Sequence, residues 1–472
     1  MAGTGLPHGS WTSEGLAQAI KQGDHFQSPL MSEPIGDPAP PPAIRPPAPA
    51  PPHRIVRVLR HAVGRLFSPP PRPELRVLVD VQAAQGPSAG RGIGRYTLNL
   101  LHGLARVRPA WRFEAVGNGS LPAVQGDLPE GVAAAQFHLP APEDIWGEAN
   151  DRAYGDWLLG RGADAILLTD LMTPTVAVPT FRGVAPPVLA VLYDLIPLLF
   201  PDHYLTSPVY LPHYVRRLRT LLACDGVLAI SQSTADDFRR LFVPYCPPTA
   251  NIRGAVDAQF HPHPEESLEG WGRTLREQYG VEREFLLYVG GPDHRKNLKG
   301  AVRAFALVSP ERRGALQLVI ACALPAEVRD NLIALARSEG VFDRIVVAGR
   351  VSDAELIALY QLGRLFVFPS LYEGLGLPIL EAMSCGSPVV CGDNSSLPEF
   401  SDPWAHLADA SDPRAFARAI EAALAEPRDL RRRERLAFAA RFTWEETAER
   451  AAVRIEECVA ARPVVRNENP SA

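Results

Sequence analysis

Two glutamates eight positions apart, Glu373 and Glu381, bracket a glycine-rich turn in "SLYEGLGLPILEAMSCGSPVV" (370–390). Gly374, Leu375 and Gly376 lie between them, and Pro378 suits the first turn of a helix, where its missing N–H costs nothing. The spacing predicts Glu373 on a strand-to-helix loop and Glu381 in the helix's first turn. Backbone amides around Gly374–Gly376, at the positive end of a helix dipole, would bind phosphate. An ionised carboxylate only accepts hydrogen bonds, so beside that site it is better employed on sugar hydroxyls. Two acids around an anion site fit a ligand with polyol on both sides of a diphosphate. On the residues alone, two bland readings stay open: both acids solvated, or Glu381 merely complementing the dipole.

A second group lies in "YVGGPDHRKNLKGAVRAFALV" (288–308). A strand ends in Gly290 and Gly291, and Arg295 and Lys296 come just before Asn297, a predicted N-cap. Arginine grips phosphate bidentately and lysine acts as a point charge, so the pair makes a diphosphate clamp. Its alternative is two solvated cations. A third stretch, "GRGIGRYTLNLLHGL" (90–104), puts Gly90, Gly92 and Gly94 at the opening of a helix. These glycines either admit a ligand close to the backbone or simply turn a tight corner. The spacing is not the dinucleotide fingerprint, and no acidic ribose partner ends the next strand. No Asp-rich metal site accompanies either clamp.

These residues must be held by the elements around them. Continuous apolar runs begin at "RVLVDV" (76–81) and continue through "FEAVGN" (113–118), "AILLTD" (165–170), "VLAVLYD" (188–194) and "GVLAIS" (226–231). The pattern restarts at "FLLYVGG" (285–291), followed by "LQLVIAC" (316–322), "RIVVAG" (344–349), "LFVFPS" (365–370) and "PVVCGD" (388–393). Helical patterns intervene, the clearest at 326–339 with Gly340 as C-cap. Such runs are parallel strands buried on both faces. Two sets predict an α/β chain of two doubly wound domains, with ligands beyond the carboxyl ends of the strands.

The ordered set "GIGRYTLNLL", "LYDLIPLLFP", "YVGGPDHRKNL", "GRVSDAELIALY", "PSLYEGLGLPILEAMSCGSPVV", "SSLPE" and "FTWEETA" resembles glycosyltransferase family 4, retaining enzymes of the GT-B fold. The resemblance covers most of residues 76–460 and lies nearest the branch with bacterial polysaccharide mannosyltransferases. It implies an N-terminal acceptor-side domain at 75–260 and a nucleotide-sugar domain at 261–442. A last helix, about 443–460, should cross back to the first domain. It implies that Arg295 and Lys296 bind the diphosphate, Glu373 the transferred sugar and Glu381 the ribose, with Gly374 to Gly376 lending amides. Gly92 to Gly94 would stand at the donor–acceptor junction. Tyr193 and Asp194 match a His-Asp pair of many relatives, with tyrosine replacing histidine, which puts the histidine's usual role in doubt. The implied reaction moves a hexose, best read as mannose from GDP-mannose, onto a polysaccharide or lipid-linked glycan, without a cofactor or a metal. UDP- or dTDP-sugar donors, or a catalytically silent scaffold with a membrane-tethering tail, are the alternatives.

Composition sets outer bounds. The 472 residues, 46% apolar and 21% charged, suit two or three ordinary globular domains. A net charge of −5 argues against a nucleic-acid partner. The six cysteines, Cys224, Cys246, Cys322, Cys385, Cys391 and Cys458, lack metal-ligand spacing and read as buried thiols in a reducing compartment. Without an apolar signal core or a long apolar run, the chain reads as cytoplasmic. Residues 1–74 read as a disordered, proline-rich tail, with nine prolines in the fifteen residues 38–52. Within it, 54–67 has a helical apolar face opposite Arg54, Arg57, Arg60 and Arg65. That helix either lies on an anionic membrane, at the inner face of the cytoplasmic membrane, or docks on the protein's own domain.

Overall fold

Apolar runs that do not alternate become strands covered on both sides. β1 (Arg76–Asp80), β2 (Arg112–Asn118), β3 (Ala133–Phe137), β4 (Ala165–Leu168), β5 (Val188–Leu192), β6 (Gly226–Ala229) and β7 (Thr249–Asn251) form one sheet. Its order is β3-β2-β1-β4-β5-β6-β7, with every pairing parallel. A second sheet uses β8 (Phe285–Val289), β9 (Gln317–Ala321), β10 (Ile345–Val347), β11 (Leu365–Phe368), β12 (Val389–Gly392) and β13 (His406–Ala408). Its order, β10-β9-β8-β11-β12-β13, is again wholly parallel. The protein's structure is a computed structural model that describes residues 13–22, 74–86, 89–90, 92–181 and 185–462. The proline-rich stretch 38–52 and the basic segment 54–67 lie outside the described residues.

Each sheet carries helices on its faces, and its strands turn in opposite directions from the first one laid down, the doubly wound pattern. The expected strands are present in both domains. β3, β7 and β13 were not expected, and their sequences "AAAQF", "TAN" and "HLA" explain why. All three are sheet edges, mostly half-buried or exposed, so they need no apolar run. Helix signals were more reliable. The 326–338 helix stops before Gly340, whose φ of 70° is left-handed. Thr443 caps the helix Trp444–Ala461, its side chain accepting from the Glu446 amide.

That terminal helix does cross back. Ala448, Ala451, Ala452 and Ile455 are buried against the helix Gly92–Val107 of the first domain. Gly103 permits the close approach, because a Cβ there would lie 2.7 Å from the Trp444 carbonyl oxygen. Arg108, almost fully buried, holds the same helix by Glu449 (2.6 Å) and Glu456 (2.7 Å).

The expectation of a structureless tail over 1–74 needs correcting at residues 13–22. They form a helix docked on the first domain, with Ala17 and Ile20 buried. Ser13 donates to the Leu199 carbonyl and Glu14 pairs with Arg240. An amphipathic turn of this kind carries too few apolar residues to stand out from sequence beside a proline-rich neighbour. No helix among the described residues is long and apolar enough to cross a membrane. None of the six cysteines is disulfide-bonded, and all but Cys246 are buried.

Candidate active site

The two sheets present their carboxyl-end loops to each other, and the expected residues come together there. The loop after β11 supplies Glu373, with only 7% of its side chain exposed. The turn after β8 supplies the cations. Arg295 Nη1 lies 2.5 Å from Glu373 Oε2, and Lys296 Nζ lies 2.6 Å from Oε1. Ser370 Oγ donates to the same Oε1 at 2.6 Å. Both carboxylate oxygens are therefore engaged.

Local sequence explains how each part is held. Asp293 caps a short turn at His294–Lys296, accepting from the Arg295 amide. Asn297, at φ 52°, caps the following helix Leu298–Leu307 by accepting from the Gly300 amide, as expected. Gly290 is required by packing: a Cβ there would lie 2.6 Å from the Tyr288 hydroxyl. With that space clear, Tyr288 donates to the Lys296 carbonyl at 3.1 Å. Gly291 faces open space. Leu371 N donates to the Arg295 carbonyl at 2.7 Å, which ties the cation turn to the glutamate loop.

Electrostatics follow from burial and pairing. Burial would raise the Glu373 carboxyl, but Lys296 and Arg295 together hold it below its ordinary value. At Lys296 burial wins, and the amine is pulled below the usual lysine range against the attraction of Glu373. Asp194 is raised by burial, only partly offset by its bond from the Ile196 amide and by Arg295.

The glycine loop sits in the interdomain seam. A Cβ at Gly374 would overlap the Tyr193 carbonyl oxygen and come 3.1 Å from Asp194 Cβ. Leu375 is buried against the first domain, where a Cβ on Gly254 would lie 2.5 Å from its Cδ2. Gly376, at φ 90°, is the N-cap of the helix Leu377–Ser384, and no side chain caps it. Pro378 has no N–H and Ile379 N donates to the Gly376 carbonyl at 2.9 Å, so the amides of Gly376 and Leu377 are those an anion would meet.

One expectation needs correcting. Glu381 is not in the first turn, because the left-handed Gly376 starts the helix at Leu377, one residue before the proline suggests. Glu381 lies a turn further in, half-buried, where Tyr360 donates to it at 3.2 Å. Desolvation pushes its carboxyl up to about 7. Gly92 and Gly94 open the helix Gly92–Val107. Gly92 takes a positive φ of 39° with open space at its Cβ position, and a Cβ at Gly94 would collide with the Ala89 backbone. Their helix reaches the seam. Arg95 pairs with Asp353 (2.6 Å) and Asp257 (3.5 Å), and Tyr96 stacks edge-on against Tyr193 at 5.3 Å.

Tyr193 therefore packs with its ring against Tyr96, while its carbonyl accepts from Thr234 at 3.2 Å. Its burial pushes the phenol well above its usual range, so it stays protonated near neutral pH. Sequence reasoning missed the supporting residues. Ser370, Ser395 and Ser396 bond Glu373, and Glu399 from "SSLPE" accepts the Gln232 and Ser233 amides of the other domain at 2.8 and 2.7 Å. Tyr204 and Tyr372 bridge the domains to Asp293 and Asp237. Hydroxyls and acids of this kind carry no periodic signal.

Comparison with known proteins agrees with this geometry. Residues 273–441, which hold the cation turn and both glutamates, match the family described as Glycosyl transferases group 1. The chain is 30% identical over 401 residues to the serotype-specific mannosyltransferase WbdA of Escherichia coli, covering 79% of this chain and 47% of that protein. It is 33% identical to the O-antigen chain mannosyltransferase B of Escherichia coli over 46% of this chain and 57% of the relative. The chain thus spans about half the length of these relatives. Sucrose-phosphate synthase from Thermosynechococcus elongatus shares the fold, with a TM-score of 0.63 at 20% identity over 83% of this chain and all of that one. Two parallel-sheet domains in the GT-B arrangement, the second of them matching the group 1 glycosyl transferase family over residues 273–441, are what this chain is built from.

Proposed function

We propose that the protein is a retaining glycosyltransferase of family 4 that moves mannose from GDP-mannose onto a polysaccharide or lipid-linked glycan. The observation that carries this reading is the Glu373 carboxylate gripped by Arg295 and Lys296 beside the uncapped start of the 377–384 helix. The two relatives named as mannosyltransferases support the sugar and the glycan acceptor.

The donor diphosphate binds Arg295, Lys296 and the amides after Gly374, and displaces Glu373 from the cations. Glu373 then accepts hydroxyls of the sugar, and Glu381 those of the ribose. The acceptor hydroxyl attacks the anomeric carbon from the face the diphosphate leaves, and the leaving phosphate takes its proton. Negative charge grows on the diphosphate in the transition state, where two cations and the helix dipole already point at it. This electrostatic provision takes the place of a divalent metal. Orientation supplies the rest, with the seam closing over both substrates. The reading also places the enzyme in the cytoplasm, where nucleotide-sugars are made.

Thermal unfolding in EDTA with excess GDP, UDP or dTDP tests the donor site. A ligand at a hundred times its dissociation constant stabilises by about 2.7 kcal/mol. The expected result is a rise with GDP that Lys296→Ala abolishes. A larger rise with UDP or dTDP replaces the donor, and none with any of them overturns the site. The anomeric configuration of the product, read by NMR, tests retention.

A further inference from the structure

One segment of the first domain, 194–204, touches both halves of the site. Asp194 abuts Gly374, and Phe200 stacks edge-on against Tyr372 at 5.7 Å. At its far end the His203 ring stacks on His294 at 4.2 Å, and Tyr204 Oη donates to Asp293 Oδ1 at 2.6 Å.

Asp293 is the residue whose position matters most to the cations. Its Oδ1 accepts from the Arg295 amide at 3.0 Å, which forms the turn, and lies 3.6 Å from Arg295 Nε. The same oxygen thus caps the turn and stands just outside hydrogen-bond reach of the guanidinium. Held as a cap, it shapes the turn and leaves the guanidinium to Glu373 or an incoming diphosphate. Swung onto the guanidinium, it neutralises the charge that should meet the anion.

We propose that Tyr204 is a positioning residue that makes the Arg295–Lys296 clamp depend on domain closure, by holding Asp293 in its capping position. Tyr204 belongs to one domain and Asp293 to the other, so the bond exists only while the seam is shut. With the seam open, Asp293 turns to Arg295, the clamp weakens, and a nucleoside diphosphate product is released. With it closed, the hydroxyl satisfies the carboxylate and the guanidinium is free to bind. Burial and the neighbouring carboxylate raise the Tyr204 phenol above its usual range, so it remains a donor at all working pH values. This inference rests on reading Arg295 and Lys296 as the diphosphate site.

Titration calorimetry with GDP, UDP and dTDP tests it without requiring turnover, on wild type, Arg295→Ala, Tyr204→Phe, Asp293→Asn and the Tyr204→Phe/Asp293→Asn double variant. Tyr204→Phe should weaken the best-binding nucleotide by about tenfold, the low end for a bond to a charged group. Asparagine still caps the turn but does not compete for the guanidinium. The double variant should therefore return to within about twofold of wild type. A structural role for Tyr204 offers no route to that rescue. Unchanged binding in Tyr204→Phe, or a double variant as weak as it, overturns the inference. If Arg295→Ala binds as wild type does, the diphosphate reading itself has failed; if it weakens while Tyr204→Phe does not, only the role of Tyr204 has.

Discussion

Glu373→Gln should weaken the empty protein and sharpen its response to nucleotide. In the resting site this carboxylate neutralises two cations, with Arg295 and Lys296 side chains 22% and 16% exposed. Breaking a buried pair by removing one partner costs about 3–5 kcal/mol, because the remaining charge is left uncompensated. Two features pull the figure to the lower end. The amide oxygen can still accept from Ser370, and Lys296, already pulled below its ordinary value, can shed its proton. A loss of about 3 kcal/mol lowers Tm by roughly 6–12 °C for domains of this size. A diphosphate brings back the missing negative charge without having to displace Glu373. The Tm rise with saturating nucleoside diphosphate should therefore be larger in Glu373→Gln than in wild type, while sugar transfer falls by ~100-fold or more, the scale of losing an oriented electrostatic contact. Differential scanning fluorimetry with and without nucleotide, in EDTA, reads both. An empty variant melting within about 2 °C of wild type refutes the buried-pair energetics. A smaller nucleotide response than wild type refutes the competition between Glu373 and phosphate for the cations.

Other expectations follow from the same geometry. Glu381, at about 7 when folded against 4.5 for an ordinary glutamate, holds its proton in the folded state but not in the unfolded one between those values. Stability therefore falls as pH rises from 4.5 to 7, and Glu381→Gln should flatten that slope in urea unfolding at stepped pH. Nucleotide affinity moves the other way, rising through pH 7 as the ribose-binding carboxylate ionises, and in Glu381→Gln it should stay level. For Glu373 the sign is reversed. Its lowered value contributes stability that is present above 4.5 and lost on acidification, so the acid limb of the wild-type stability curve should be shallower in Glu373→Gln, with Glu114 and Glu355 supplying the remainder. Gly374→Ala drives a methyl into the Tyr193 carbonyl, and should leave each domain folded by circular dichroism while abolishing transfer. Arg108→Ala removes the buried guanidinium that ties Glu449 and Glu456 of the terminal helix to the first domain, and a loss of about 1.5–3 kcal/mol, the range for hydrogen bonds to charged groups, should appear in urea unfolding.

How much of this could be read from the chain depends on the range of the physics. The buried strands announce themselves locally, since covering both faces of a parallel strand demands an unbroken apolar run. Edge strands make no such demand, and β3, β7 and β13 stayed hidden. Caps are also local, and Ser352, Asn297 and Thr443 sit at helix starts where their side chains accept an amide. The chemistry-bearing residues were legible as types and spacings, yet their mutual contact was not. Lys296 and Glu373 are 77 positions apart, and nothing in either segment says that the cations rest on that carboxylate. The one-residue offset of Glu381 came from weighing a proline more than the left-handed glycine before it. Cross-domain hydroxyls such as Tyr204 and Tyr372 were out of reach, since their roles exist only once two sheets face one another.

The helix Trp444–Ala461 gives the chain an unusual order of completion. Arg108, at the end of an early helix, finds its partner Glu456 348 positions later. Synthesis proceeds from the N-terminus, so the first sheet emerges early but waits for nearly the whole second domain before the last wall of its core arrives. Until then the face around Gly103 is bare apolar surface, an opening for chaperones or for stray association. The same return crossing ties the domains at two places rather than one. A second connection means that the two sheets can part only as far as both connections allow.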